Sequence, residues 1–168
     1  YVNGVRLRLG AAGFSDPVPC AKCGRAAIGP SGAHAVTCDA ANATRGHNNV
    51  VKTNHRYASM ADPNAETEVQ GLVPGTTLRP ADLLTNAAGT GRVALDVSIV
   101  SPDAQQAGAD CTATRYQSKI DKYSPHFSTL LAQGITYKPL VWSCYGRPHP
   151  VAKRFIHDVA MRIARRRG

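Results

Sequence analysis

Long apolar runs are missing from this 168-residue chain, and none approaches the ~20 residues that a membrane-spanning helix needs. The first residues also lack the charged-then-apolar pattern of a secretory signal, so no membrane role is expected. Acidic residues are scarce: 11 Asp and Glu face 20 Lys and Arg, for a formal charge of +9 and a pI of about 9.7. That imbalance points to a polyanionic partner, nucleic acid above all. The chain has no internal repeat and no low-complexity linker, and 43% of it is hydrophobic, so one domain with a real core and a small appendage is expected. Its five cysteines are an odd number, which argues against a disulfide framework. Because it begins at Tyr1 and not Met, the chain reads as an excised or processed piece of something larger.

What is present is unevenly placed. Residues 147–168 carry seven Lys or Arg against one Asp, a net +6, leaving +3 for the other 146 residues. In that segment Val151, Phe155, Val159 and Ile163 recur every fourth residue, which predicts an amphipathic helix. Lys153, Arg154, Arg162 and Arg165 fall mostly off the stripe and are candidates for phosphate contacts.

Upstream, "VRLRLG" reads as a short strand with Arg6 and Arg8 on one face. "ANATRGHNNVVKTNHRYAS" reads as a helix from about Ala41 to Ser59, with Thr44 as its N-cap. Three strands follow: "AETEVQGL", then "LRPADLL" after the Pro74-Gly75 turn, then "RVALDVSIV". "SPDAQQAGADCTATRYQSKIDKYS" opens on a Ser-Pro-Asp helix-start signal and continues, with a break near Gly108, through Tyr123. "PHFSTLLAQG" is a second helical stretch, and "ITYKPLVWS" a fourth strand. The expected division is a Cys-rich head over residues 1–40, an α/β core over 41–147 and a basic helix over 148–168.

In the head, Cys20-x2-Cys23-x10-His34-x3-Cys38 has the spacing of a tetrahedral zinc site. A Cys-x2-Cys turn aims two sulfurs at one point, and the loop returns two more ligands. All four ligands come from protein, so the zinc would be structural. Cys111 and Cys144 lie in core elements and read as small packed groups.

The third strand holds a carboxylate, Asp96, among Val93, Leu95, Val97, Ile99 and Val100, where an ionised group is costly to desolvate. Asp82 lies on the preceding strand, and antiparallel pairing across the Gly-rich turn would bring the two acids together. Like charges at that distance repel, and a divalent cation between them is the simplest remedy. Glu68, with Glu66 as the close alternative, would add a third oxygen, and Lys119 or Lys122 from the next helix an amine.

The ordered blocks Cys-Cys-His-Cys, "TRGHNNV", "LRPADLL", "ALDVSIVSP" and "KIDKY" resemble the restriction-enzyme-like endonuclease domain of site-specific non-LTR retrotransposons, within the PD-(D/E)XK nuclease superfamily. The resemblance runs from about Arg6 to Gly146. It implies an αβββαβ nuclease core with a small mixed sheet, preceded by a zinc knuckle and cleaving target DNA with Mg²⁺ or Mn²⁺. By motif, Asp82 stands for the Asp of "PD" and Asp96 for the acid of the second strand. Lys119 opens the "KxxKY" block that Lys122 and Tyr123 complete, and Glu68 is the choice for the upstream acid. Three departures stand out: "DVS" puts Ser98 where the superfamily has a lysine, "PD" is "PAD", and "RHN" is "RGHN", giving His47 and Asn48.

Two functions follow. One is a metal-dependent DNA endonuclease in which Asp82, Asp96 and Glu68 hold the metal and Lys119 assists. Arg115, Lys122 and the basic helix would then grip flanking phosphates. The other keeps the fold without the chemistry: a nucleic-acid-binding or structural subunit of a larger assembly, RNA included. The resemblance implies a reverse transcriptase domain as neighbour and a nuclear place of work; an organellar ribonucleoprotein would suit a domesticated descendant. Arg147 and His149 in "YGRPHP" sit at the mouth of the last helix, near phosphate in either reading.

Overall fold

A computed structural model describes residues 15–24, 27–30, 32, 34, 38, 43–102, 104 and 106–167. The expected strand with Arg6 and Arg8 lies outside the described residues. The head contributes a two-residue antiparallel ladder, β1 (Val18–Pro19) with β2 (Ala27–Ile28). Then come α1 (Ala43–Ala61), β3 (Glu66–Val69), β4 (Ala81–Thr85), β5 (Arg92–Val100), α2 (Cys111–Tyr123), a 3-10 turn (Ser124–His126), α3 (Phe127–Leu131), β6 (Ile135–Ser143) and α4 (Pro150–Arg167). The four longer strands form one mixed sheet in the order β3-β4-β5-β6, antiparallel at the first two joints and parallel at the last. The chain is thus α/β, a small mixed sheet flanked by helices, with a Cys/His cluster at its head. Among the described residues no helix is long and apolar enough to cross a membrane.

Strand alternation resolves the puzzle of Asp96. Successive side chains of a strand point to opposite faces. On one face Leu83, Val93, Leu95, Val97 and Leu140 pack against Val51 and Ala58 of α1 and Ala152, Phe155 and Val159 of α4. Each buried Leu there contributes about 1.5–3 kcal/mol of transfer free energy. On the other face Leu84 and Ala94 meet Leu130 and Ile135, with Tyr137 against them. Asp82, Asp96 and Ser98 share the parity of Leu84 and Ala94, so they lie on the face opposite Val51, Ala58 and α4, with only the N-terminal end of α1 reaching round to them. The carboxylate is outside the larger apolar layer, although it is buried.

Two helix starts differ from expectation. Thr44 lies inside α1 and does not cap it. The Ser-Pro-Asp signal starts no helix; α2 begins at Cys111, capped by Asp110, whose carboxylate accepts from Thr112 N and Ala113 N. That carboxylate also takes both guanidinium nitrogens of Arg147, at 3.0 and 2.6 Å, tying α2 to the turn before α4. The Arg147 side holds Asp110 well below the usual carboxylate range, helped by Thr112 and Ala113. Gly108 approaches α2 at φ +63, and a Cβ there would lie 2.5 Å from Thr114 Oγ1, so only glycine fits.

Candidate active site

The β4–β5 register pairs Leu83 with Leu95. One step outward on each strand stand Asp82 and Asp96, opposite each other. Asp82 Oδ2 accepts the backbone N–H of Val97 at 2.7 Å, and His47 Nε2 from the first turns of α1 lies 3.7 Å from Asp82 Oδ1. Asp96 accepts from Lys119 Nζ on Oδ1 and from the Tyr137 hydroxyl on Oδ2, each at 2.8 Å. Lys119 comes from α2, one helical turn after Arg115.

Burial, and then the charge of Asp96, push the Asp82 carboxyl above its usual range; Glu68 adds to this, while Val97 N–H and His47 oppose it. Asp96 has an ammonium in contact. Burial and the Asp96 charge raise Tyr123 to about 12 and Tyr137 further still. Both phenols therefore stay protonated at neutral pH, and Tyr137 can only donate to the carboxylate. The Tyr123 hydroxyl donates to the Arg79 carbonyl at 3.1 Å, and its ring packs on Tyr137 at 4.8 Å.

These groups lie in an open groove of about 960 Å³. Its lining includes Asp82, Asp96, Lys119 and Ser98, with His47 on one side and Arg79, Arg115 and Lys122 around the acids. Ser98 accepts from Arg115 Nε at 2.8 Å. Lys122 lies 4.9 Å from the Tyr123 ring centre, a cation–π contact. Half-buried Cys144 lines the groove too, whereas Cys111 is buried.

The other sequence candidates divide. Glu66 is committed to an ion pair with Arg92. Glu68 stands between the pairs Thr67–Leu83 and Val69–Ala81, opposite Asp82, with φ +54, the left-handed region that a non-glycine residue adopts at a cost. It is exposed and does not line the groove. Lys153, Arg154, Arg162 and Arg165 do not line it either; α4 lies on the opposite side of the sheet, and Arg162 donates to the Gly89 carbonyl. Arg147 is spent on Asp110, and the His149 ring stacks on Tyr116 at 4.2 Å. Two residues beside the acids were given no role at the site by the sequence reading. Arg79 stands within "LRPADLL", where nothing local marks it as facing the acids, and Tyr137 meets Asp96 only once β6 is registered against β5.

In the head, Cys20, Cys23, His34 and Cys38 bring their ligand atoms within 4.8 Å of one another. Cys20 and Cys38 sulfurs are 3.8 Å apart, and Cys23 Sγ is 3.2 Å from His34 Nε2. A tetrahedron with Zn–S of about 2.3 Å has S···S edges of about 3.8 Å, so the four residues could hold a metal ion and their geometry is consistent with zinc. The backbone N–H groups of Cys23 and Lys22 lower the Cys20 thiol toward thiolate, the form that binds metal. Among the described residues no other group of three such side chains is drawn so close, so Glu68 is not gathered with Asp82 and Asp96. Cys38 also lines the groove, which places the head at its wall.

No family model, curated protein or solved structure matches the chain.

Proposed function

We propose that this chain is a metal-dependent DNA endonuclease domain of the PD-(D/E)XK type, of the kind found in site-specific non-LTR retrotransposons. One observation carries the reading: Asp82 and Asp96 stand side by side, with the Lys119 ammonium on Asp96, in a groove walled by Arg79, Arg115 and Lys122. The order helix, three strands, helix, strand supports it, since that is the αβββαβ core the resemblance implies.

The donor set fits Mg²⁺ or Mn²⁺. Carboxylate oxygens suit hard divalent cations, and Asp82 is a carboxyl whose ionisation is resisted by its neighbours. A bound divalent cation supplies Lewis acidity toward a phosphate oxygen and an acidified water. The rest is the work of side chains. Asp82 and Asp96 would hold the metal; Glu68, exposed and outside the groove lining, is not part of this donor set. Lys119 donates to Asp96 Oδ1 and presents an ammonium toward an incoming phosphate. Tyr137 fixes the second Asp96 oxygen. Arg79, Arg115 and Lys122 offer positive charge along the groove for flanking phosphates, which gives affinity without sequence choice. A reverse transcriptase domain as neighbour and a nuclear location belong to this reading.

A second reading has its own observation. Both Asp96 oxygens already accept hydrogen bonds, from Lys119 and Tyr137. A nuclease-like fold so satisfied internally would bind nucleic acid, DNA or RNA, as part of a larger complex, possible sites including an organellar ribonucleoprotein, and would not cut it. Incubating supercoiled plasmid with the protein in Mg²⁺ or Mn²⁺ separates the two. The endonuclease nicks or linearises the plasmid only when Mg²⁺ or Mn²⁺ is added; the binding subunit retains the plasmid without added divalent metal and leaves it closed in either.

A further inference from the structure

Across the sheet from the acidic groove, α1 and α4 lie against each other and leave an apolar channel of about 420 Å³ between their outer faces. Tyr57 and Met60 form one wall, and Ile156, Ala160 and Ile163 the other. Tyr57 is 53% exposed and Ile156 50%, values that leave half of two large apolar side chains in water. Clustered exposure of this kind marks an interaction surface, where scattered single residues would not.

The rim of the channel has one sign. Exposed Arg56 stands one turn before Met60, and exposed Lys153 one turn before Ile156. Arg166 closes one end by donating to the Met60 carbonyl at 3.3 Å. No acid occurs in α1, and the one acid of α4, Asp158, lines a different cavity beside Gly89 and Arg162. The α4 wall runs from Phe155 to Ala164, about 13 Å at 1.5 Å per residue, room for two to three turns of a partner helix.

We infer that the α1–α4 channel is a docking site for an acidic amphipathic helix of another protein segment, its apolar stripe between Tyr57 and Ile156 and its carboxylates on Arg56 and Lys153. Charge selects this occupant. A second copy of the chain docking through the same face would set Arg56, Lys153 and Arg154 against their own equivalents. A sugar-phosphate backbone would match the rim but leave the apolar floor unfilled. The inference does not depend on whether the groove on the other face cuts DNA.

The probe is a fluorescein-labelled 16-residue peptide with Leu at positions i, i+3, i+4 and i+7 and Glu on both flanks, titrated with the full chain and followed by anisotropy. Binding in the range of about 10–100 µM is expected. Ile156→Asp, at a half-exposed position, should weaken it at least about tenfold with unchanged circular dichroism. The double variant Arg56→Glu, Lys153→Glu should weaken it similarly and prefer a Lys-flanked version of the peptide. Equal affinity of the unaltered chain for the two peptides, or indifference to Ile156→Asp, would overturn the inference. So would a sedimenting dimer that Ile156→Asp dissolves, which assigns the face to a second copy, or displacement of the peptide by a DNA duplex, which assigns it to nucleic acid.

Discussion

Lys119 Nζ donates to Asp96 Oδ1 at 2.8 Å, and the pair is largely closed to water, with the lysine side chain 15% exposed and the carboxylate 5%. Removing one member of such a pair strands the other charge at low dielectric, where screening is weak. We therefore expect Lys119→Met to cost about 3 kcal/mol in urea unfolding. Adding Asp96→Asn should return most of that loss, because the two side chains share one interaction. Additive losses in the double variant would mean that the contact carries no coupling.

Asp82 gives the opposite sign. Its folded carboxyl loses its proton later than an unfolded one, so its ionised form opposes folding. That contribution to stability falls as pH rises from the ordinary carboxylate pKa through the raised one. Asp82→Asn removes the buried charge and its repulsion with Asp96 and keeps an oxygen for Val97 N–H. We expect it to gain about 1 kcal/mol near neutral pH. The gain should fade as pH drops through the raised pKa toward the usual carboxylate range. Urea titrations at several pH values check this, and a gain independent of pH would contradict it.

The groove, and not α4, should set the salt dependence of DNA binding. Arg79→Ala, Arg115→Ala and Lys122→Ala should each reduce the slope of log K against log salt by about 0.9 on duplex DNA, one phosphate contact apiece. Lys153→Ala and Arg154→Ala, on the far side of the sheet, should leave the slope unchanged. Filter binding across a salt series measures both sets.

Much of this arrangement was legible in the sequence because local signals agreed with tertiary packing. β5 over Arg92–Val100 and β6 over Ile135–Ser143 follow the expected strands, since long apolar segments bounded by Gly91 and Gly134 have few alternatives in an α/β core. The α4 stripe was likewise legible: Phe155 and Val159 are buried, and Val151 and Ile163 half-buried. The start of α2 was not. Ser-Pro-Asp and Asp110 both signal a helix start, and a contact with Arg147, 37 residues away, accompanies the second. At the site, Asp82, Asp96 and Lys119 followed from residue type and order. Tyr137 did not, because it meets Asp96 through a parallel pairing whose register no local feature encodes. The even spacing of Glu66 and Glu68 hid a difference that Arg92 creates.

The cysteine head should release a single zinc per chain to a strong chelator, counted by a colorimetric metal assay. Cys20→Ser or His34→Ala should lower the zinc content and open residues 15–38 to protease while the sheet keeps its circular dichroism. Since Cys38 lines the groove, DNA affinity should fall with the metal. A head that holds its protease resistance after zinc removal would contradict a structural metal.

The central claim is that Asp82, Asp96 and Lys119 act as one hydrolytic unit, and cleavage of supercoiled plasmid by Asp96→Asn in Mg²⁺ tests it most directly. We expect the rate to fall by about a thousandfold or more, while affinity for the same DNA in EDTA changes by less than about twofold. Cleavage by the variant at the rate of the unaltered protein would contradict it.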